Sequence, residues 1–338
     1  MRPLKPRTTT RLALASLLAL PILSACGGDE DGSTGADPAA AGGGAPYFSP
    51  SNFESQLNRL DAYDRIVGLH AEATPDNAAE SFEAIQRDYE GDHGLAGKVA
   101  GRQDDHAYGP ADIGVAMDAG IRAAIASAKA STDAGEIKWA GQVVDKTLQR
   151  FFYLSVFHEL QDLTRGHFDE AWGYSGLHDL QSLQGVAATA SKREPEFGVV
   201  LVNPLMAAFE EAHDALAIAL EGKGADEAAA EAPAAYVAAV AEIDRLMLLT
   251  FAHSVMHELD GYDGSDEKDV KLIEGRLYYD AIEPYVLNGV EGLDAATATW
   301  LRAQFDKDLA GIADGSEDVE DLARMKVEVA KVISALSE

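Results

Sequence analysis

Two stretches of this sequence place a histidine next to a glutamate inside strongly apolar surroundings. His158 and Glu159 lie in LQRFFYLSVFHELQDL, and His257 and Glu258 lie in LMLLTFAHSVMHELDGY. An imidazole nitrogen beside a carboxylate can bind a transition metal, form a buried salt bridge or transfer a proton. These pairs therefore indicate a metal site, a structural polar network or, with less support, acid–base catalysis without a metal.

The spacing of the apolar neighbours predicts that both glutamates are buried. On a helix, Glu159 shares its face with the residues seven and three positions before it and four positions after it. These neighbours are Phe152, Val156 and Leu163 for Glu159, and Phe251, Val255 and Tyr262 for Glu258. An unpaired buried carboxylate is unstable, so each glutamate needs a cation, a strong hydrogen-bond donor or a metal ion.

Further polar side chains accompany the two pairs and extend the candidate site. In DEAWGYSG and in IEGRLYYD, a glutamate precedes a tyrosine by four positions. We predict metal ligands at His158, Glu159, Glu170, His257, Glu258 and Glu274, with Tyr174, Tyr278, Asp162, His253 and Asp260 as further ligands or as partners of ligands. Imidazole with several carboxylates suits iron, manganese or zinc better than calcium, which prefers oxygen alone.

The two pairs also belong to a longer internal similarity. An offset of 99 positions aligns His158 with His257, and it also aligns Asp145 with Asp244, Phe152 with Phe251, Ser155 with Ser254 and Leu160 with Leu259. We predict a duplicated unit of helix, loop, long buried helix, loop and a helix with Glu-x-x-x-Tyr, at about residues 112–190 and 205–290. Duplication would copy a structural salt bridge as faithfully as a metal site, so both interpretations stay open.

The elements that must position these residues are helices. From Tyr47 onward the chain is rich in alanine, and apolar residues recur at intervals of three and four. The sequence therefore predicts an all-α helical bundle, and facing helices of such bundles bring His, Glu and Asp together around metals. FGVVLV at 197–202 is compatible with one short strand.

The first 46 residues predict an exported, lipid-anchored protein. Four basic residues precede the apolar run LALASLLALPIL, which is too short to span a bilayer and is typical of a signal peptide over residues 1–25. LSAC followed by glycine resembles a bacterial lipobox, in which Cys26, the only cysteine, becomes lipidated. Residues 26–46 are rich in Gly and Ala and predict a flexible tether. The folded, metal-binding domain is then residues 47–338.

The charge of the chain restricts its partners. The full sequence has a net charge of −30, and removal of four basic residues with the signal leaves 23 basic against 57 acidic residues. Such a field repels nucleic acids and anionic lipids and attracts cations, so we expect no nucleic-acid partner. Acidic surface residues also keep an exported protein soluble without further function.

Several catalytic motifs are missing or incomplete. HELQD begins like a zincin motif but lacks the second histidine four positions after the first. DGYDGSDEKD has no EF-hand spacing, and no glycine-rich phosphate loop, nucleophile elbow or cysteine pair occurs in the sequence. GRQDDHAYG, with His106, is either a polar loop or a second cation site.

The sequence has a lipoprotein signal followed by the phrases HEL, FDEAWGYSG and EGRLYYDAIEP. In this combination it resembles the low-iron-inducible, Fe-assimilating periplasmic protein family over about residues 47–338. It resembles the imelysin-like envelope proteins more distantly. This resemblance implies iron capture or assimilation. The residues in the matching phrases are His158, Glu159, Glu170, Tyr174, His257, Glu258, Glu274 and Tyr278. The imelysin pattern Gly-x-His-x-x-Glu is not reproduced, because GLHDLQ ends in Gln181.

These observations together lead to one expected function and three alternatives. We expect a non-catalytic iron-binding protein on the periplasmic side or the cell surface, attached to the membrane through Cys26 and passing iron to a transporter. Manganese or zinc could replace iron. The alternatives are an imelysin-like metallopeptidase or a di-metal oxidase, with Glu159 or Glu258 as general base, and an envelope interaction protein whose polar core only specifies helix packing.

Overall fold

The computed structural model describes residues 53–106, 109–110, 112–224, 227–289 and 294–338. Within these ranges the chain forms thirteen α-helices and no strand, which confirms the predicted all-α class. The segment 197–202 is not a strand, because it contains the last residue of one helix, a turn and the first residue of the next. The predicted signal peptide at 1–25, the lipidation site Cys26 and the tether at 26–46 lie outside the described residues.

The helices follow one another with short connections. Their bounds are α1 Glu54–Ala71, α2 Ala78–Glu90, α3 Leu95–Gly101, α4 Ile113–Ala130, α5 Ala134–Glu159, α6 Arg165–Ser175, α7 Gly185–Phe197, α8 Val202–Ala219, α9 Ala234–Tyr262, α10 Lys268–Gly289, α11 Ala295–Phe305, α12 Leu309–Asp314 and α13 Leu322–Ser337. Among the helices of the described ranges, none combines the length and the apolar character that a bilayer span requires.

Two long helices, α5 and α9, form the centre of the bundle. α5 has 26 residues and is capped by Asp133, the residue before it, whose side chain accepts a hydrogen bond from the backbone N–H of Glu136. α5 packs mainly against α4, α10 and α6, and α9 packs mainly against α10, α8 and α13. Because α10 contacts both long helices, its polar residues face side chains from each of them.

Aromatic side chains join the long helices to each other and to α1. The rings of Tyr153 on α5 and Phe251 on α9 meet edge to face with their centroids 5.6 Å apart. Phe152 makes the same kind of contact with Tyr63 of α1 at 5.4 Å. Edge-to-face pairs of this kind contribute about 0.5–1.5 kcal/mol each beyond the apolar area they bury. They hold the polar positions next to them in a rigid frame.

The predicted order of helices occurs in both proposed units. α4, α5 and α6 succeed one another as α8, α9 and α10 do, and α4 and α8 both have 18 residues. The third helices differ, because α6 has 11 residues and α10 has 22. The helix order thus agrees with a repeat, and the internal duplication itself stays a prediction.

Candidate cation-binding site

Glu159, the last residue of α5, is buried with 3% of its surface exposed, as the sequence predicts. Its Oε1 accepts a hydrogen bond from Arg102 Nη2 at 3.3 Å, and its Oε2 lies 2.7 Å from His167 Nδ1. His167 is held in place because its backbone N–H donates to Thr164, the cap of α6. A guanidinium and an imidazole thus compensate this carboxylate. We call Glu159, Arg102 and His167 the first cluster.

The other predicted ligands of the first unit lie around this cluster. Tyr174 accepts a hydrogen bond from Arg59 Nη1 at 2.8 Å, and burial raises the pKa of Tyr174 to about 12. Glu170 is half-buried and forms no hydrogen bond or ion pair with any described residue. His158 is partly exposed and pairs with Asp105 of the loop after α3. Asp162 is exposed, with its Oδ2 3.6 Å from His167 Nε2.

The predicted ligands of the second unit form a tighter group between α9 and α10. Glu258, also 3% exposed, lies on α9, and its Oε2 accepts a hydrogen bond from Lys271 Nζ at 2.8 Å. Lys271 Nζ is 3.8 Å from Oε2 of Glu274, one turn further along α10. The Nζ atom of Lys146 on α5 is 3.9 Å from the other oxygen of Glu274. We call these four residues the second cluster.

Glu274 of the second cluster has a raised pKa although two ammonium groups lie beside it. Burial, the neighbouring charge of Glu258 and a hydrogen bond between the two side chains together raise the pKa of the Glu274 carboxyl to about 7. The ammonium groups of Lys146 and Lys271 act in the opposite direction. Near neutral pH, the Glu274 carboxyl group is therefore protonated in a substantial fraction of the molecules.

Three more predicted ligands lie on α9 in different environments. His257 is beside the second cluster, with Nε2 3.9 Å from Glu258 Oε1 and Nδ1 3.1 Å from Glu196 Oε2. His253 is buried against the ring of Phe197, and neither of its ring nitrogens has a hydrogen-bond partner among the described residues. Burial lowers the pKa of His253, so its imidazole is neutral at pH 7. Asp260 is exposed and pairs with Lys326 at 3.0 Å.

A buried aspartate connects the second cluster to α1. Lys146 Nζ lies 2.6 Å from Asp145 Oδ2 and 5.2 Å from the ring centre of Tyr278. Tyr63 of α1 donates a hydrogen bond to Asp145 Oδ1 at 2.7 Å. Burial raises the pKa of Asp145, but the charges of Lys146 and His70 outweigh it and hold that pKa well below its usual value. Tyr278 therefore lies over an ammonium group, between Asp145 and the glutamates.

The equivalent aspartate of the second unit has a similar partner. Asp244 Oδ1 accepts a hydrogen bond from Tyr153 at 2.7 Å and lies 3.0 Å from His106 Nε2. His106 Nδ1 is 2.7 Å from Asp104 Oδ1. Burial lowers the pKa of His106, but its bonds to Asp104 and Asp244 outweigh that effect and raise the pKa to about 9. Two carboxylates thus hold His106 as a cation. Asp145 and Asp244, which the 99-residue offset aligns, both accept a hydrogen bond from a tyrosine.

The structure brings together only some of the predicted ligands. Glu258, Glu274 and His257 lie in one place, whereas no hydrogen bond or ion pair between described residues joins them to Glu159, Glu170 or His158. In the described ranges, no group of three or more His, Cys, Asp or Glu side chains is placed to hold a metal ion. The ligand assignments therefore stay predictions, and the second cluster is the best candidate because two carboxyl groups already meet there.

The basic partners of the glutamates were missed by the sequence interpretation. They are Arg102, His167, Lys146 and Lys271. Lys271 had a usable signal, because it precedes Glu274 by three positions and so shares its helix face. Arg102 had none, since 57 positions of chain separate it from Glu159.

Comparison with known proteins does not assign the chain to a family. No protein-family model matches the chain, no curated protein matches its sequence and no solved structure matches its fold.

Proposed function

We propose that this protein binds a transition-metal cation at the cell envelope and that the second cluster is its binding site. The observation that carries this proposal is the position of Lys271 Nζ, 2.8 Å from Glu258 and 3.8 Å from Glu274. A positive group already lies between two buried carboxyl groups, and a metal cation satisfies the same electrostatic requirement. Iron is the expected ion, from the resemblance to iron-assimilating envelope proteins.

The chemistry of the donor set fits such an ion. Glu258 and Glu274 supply carboxylate oxygens, and His257, 3.9 Å from Glu258, supplies an imidazole nitrogen. This mixture suits iron, manganese or zinc. Ligands must be deprotonated to bind, so metal uptake releases the proton of Glu274, whose pKa of about 7 keeps that cost small at neutral pH.

Lys271 must give up its position when a metal binds. Its side chain is 27% exposed, so the ammonium group can turn toward solvent without being buried elsewhere. Lys146 is only 12% exposed and remains paired with Asp145 at 2.6 Å. Lys271 therefore acts as the exchangeable cation of the site, and Lys146 acts as its fixed one.

The location and the surface charge suit capture of a cation. The excess of 57 acidic over 27 basic residues raises the local concentration of cations near the protein. A lipid on Cys26 would keep the domain at the membrane, where a transporter could receive the ion. No catalytic turnover is part of this proposal.

The test is metal binding by the purified mature chain and by matched variants. We expect about one Fe(II), Mn(II) or Zn(II) per chain in anaerobic titration calorimetry and elemental analysis, and loss of that ion in the double variant Glu258→Gln, Glu274→Gln. Glu159→Gln is the control, because it removes an equally buried glutamate from the first cluster. Unchanged binding in the double variant, or absence of binding by the wild type, overturns the proposal.

A structural polar network is the second candidate function of these residues. It is favoured by the fact that Arg102 and Lys271 already compensate Glu159 and Glu258. In that case the two clusters only hold α5, α6, α9 and α10 in register. The mature chain would then bind no metal, and the Glu159 and Glu258 variants would differ from the wild type in stability alone.

A further inference from the structure

Arg150 on α5 is half-buried, and one nitrogen of its guanidinium group is buried without a hydrogen bond to any described residue. Its Nε atom is inaccessible to solvent and unbonded, and no hydrogen bond or ion pair joins Arg150 to any residue that the structure describes. Burial lowers the pKa of Arg150, against the opposing charges of Asp280 and Asp104, but an arginine stays charged at neutral pH. Buried polar atoms are normally hydrogen-bonded, so the Nε atom of Arg150 has an unused donor.

Arg150 lines a cavity of about 230 Å³ between α4, α5 and α10. A second arginine, Arg276, lines the same cavity from α10, and its Nε is also buried and unbonded. Arg276 is about a third exposed and forms an ion pair with Asp306, whose Oδ1 lies 3.9 Å from its Nη1. Two guanidinium groups with unused donors thus face one space.

The acidic side chain of this cavity has a closer arginine partner than Arg150 or Arg276. Asp280 also lines the cavity, but its Oδ1 lies 2.5 Å from Arg302 Nη1, which compensates its charge. The chain as a whole has more than twice as many acidic as basic residues, so an arginine such as Arg150 without an ion pair to a described residue is unexpected in it. The remaining lining includes the apolar side chains of Ile113, Met117 and Leu277.

We propose that this cavity binds a small organic carboxylate. The guanidinium groups of Arg150 and Arg276 bind the carboxylate oxygens, for which their planar donors are well suited. The hydrocarbon part lies against Ile113, Met117 and Leu277, which gives an organic acid an advantage over inorganic phosphate. If each non-hydrogen atom takes about 30 Å³, as a molecule of liquid water does, the cavity has room for a ligand of roughly seven non-hydrogen atoms. No lining residue belongs to the second cluster, so the site does not depend on metal binding.

Titration of the metal-free mature chain with butanoate tests this proposal. Butanamide is the neutral probe of the same shape, and inorganic phosphate is the probe without hydrocarbon, all at constant ionic strength. We expect butanoate to bind at least about tenfold more tightly than either, because a hydrogen bond to a charged group contributes about 1.5–3 kcal/mol. Equal affinity for butanoate and butanamide overturns the proposal, and tighter binding of phosphate overturns the assignment to a carboxylate.

Two variants and one control assign the binding to these arginines. Arg150→Gln and Arg276→Gln should each weaken butanoate binding about ten- to a hundredfold. Arg65→Gln is the control, because Arg65 is an exposed arginine on α1 that pairs with Asp88. Arg150→Gln should change the melting temperature little, since no hydrogen bond or ion pair joins Arg150 to a described residue. If Arg150→Gln does not fold, the butanoate affinity of Arg276→Gln tests the site. Wild-type affinity in the folded variants overturns the site.

Discussion

Lys271 donates a hydrogen bond from Nζ to Glu258 Oε2 across 2.8 Å, and this bond joins α10 to α9. The carboxylate is almost fully buried, with 4% of its side chain exposed, whereas the lysine side chain is 27% exposed. Removal of such a lysine leaves a buried charge without its closest partner, which is more costly than the loss of a surface ion pair.

The first prediction concerns this lysine. Lys271→Met should lower the free energy of unfolding of the metal-free chain by roughly 1–3 kcal/mol at pH 8, because Glu258 loses its hydrogen-bond donor. Addition of Mn(II) should recover this loss, since the ion replaces the missing positive charge and binds only the folded chain. Urea unfolding with and without the metal measures both effects.

Lys268→Met is the matched control for Lys271. Lys268 is the first residue of α10 and pairs with Asp318, which is more than half exposed, at 3.0 Å. Lys268→Met should change the free energy of unfolding by less than about 1 kcal/mol. Mn(II) should stabilise this variant and the wild type to the same extent. Equal losses in the two variants, or no recovery of Lys271→Met with metal, would contradict the role of Lys271 as an exchangeable cation.

The second prediction follows from the raised pKa of Glu274. Its pKa of about 7 in the folded chain exceeds the value near 4.5 in the unfolded chain, so the folded state binds more protons between these values. The stability of the metal-free wild type should therefore fall as pH rises from about 4.5 to 7. Glu274→Gln removes this decline and should gain roughly 1–3 kcal/mol relative to the wild type at pH 8, and little at pH 4.

Urea unfolding at a series of pH values measures this difference. Glu267→Gln is the control, because Glu267 lies just before α10 and is exposed, in a pair with Lys138. We expect the Glu267 variant to follow the pH profile of the wild type. A pH-independent difference between Glu274→Gln and the wild type would show that Glu274 does not titrate in this range.

The helix class and the burial of the glutamates were predictable because both depend on local periodicity. Apolar neighbours at positions −7, −3 and +4 place Glu159 and Glu258 inside the bundle, and the structure confirms both. The spacing also predicted the long helices that contain them, α5 and α9. Each of these statements needs only a few consecutive turns of one helix.

The partners of the glutamates were not predictable because they depend on packing between distant segments. Arg102 reaches Glu159 from the loop after α3, and Lys146 reaches Glu274 from a different long helix. The apolar pattern of one helix predicts that a buried carboxylate needs a positive partner. It does not predict which side chain is that partner. For the same reason, the equal spacing of the two units did not reveal that their clusters differ in composition.

The third prediction concerns the buried charge of His106. Its pKa of about 9 lies above the unfolded value of 6.5, so its contribution to stability is complete below about pH 6.5 and is lost as pH rises through 9. We expect the wild type to lose roughly 1–3 kcal/mol between these values. In His106→Gln this part of the decline should be absent, because the neutral amide keeps the same charge throughout.

Thermal and urea unfolding between pH 6 and pH 9.5, roughly the range that brackets both pKa values, measure this loss. His213→Gln serves as the comparison, because His213 lies on α8 with about a third of its side chain exposed and pairs with the exposed Asp214. The His213 variant should keep the wild-type profile. A His106 variant with the same decline as the wild type would show that Asp104 and Asp244 do not hold a charged imidazole.

The fourth prediction concerns the packing that delivers Arg102 to Glu159. The backbone N–H of Gly114 donates to Arg102 O at 3.1 Å, and a Cβ atom on Gly114 would lie 2.4 Å from Arg102 O and from Val99 O. These are backbone atoms and cannot turn aside, so Gly114→Ala must displace the segment before α4. We expect a loss of about 1–3 kcal/mol. Gly120→Ala, on the same helix with nothing within 4 Å of its Cβ, should instead gain about 0.5–1 kcal/mol.

A double-mutant cycle connects this packing to the first cluster. If Gly114→Ala moves Arg102 away from Glu159, then Arg102→Met should cost less in the Gly114→Ala background than in the wild type, by about 0.5 kcal/mol or more. Gly120→Ala should leave the cost of Arg102→Met unchanged. Additive losses for Gly114→Ala and Arg102→Met would instead mean that the added methyl group is accommodated without disturbing the bond from Arg102 to Glu159.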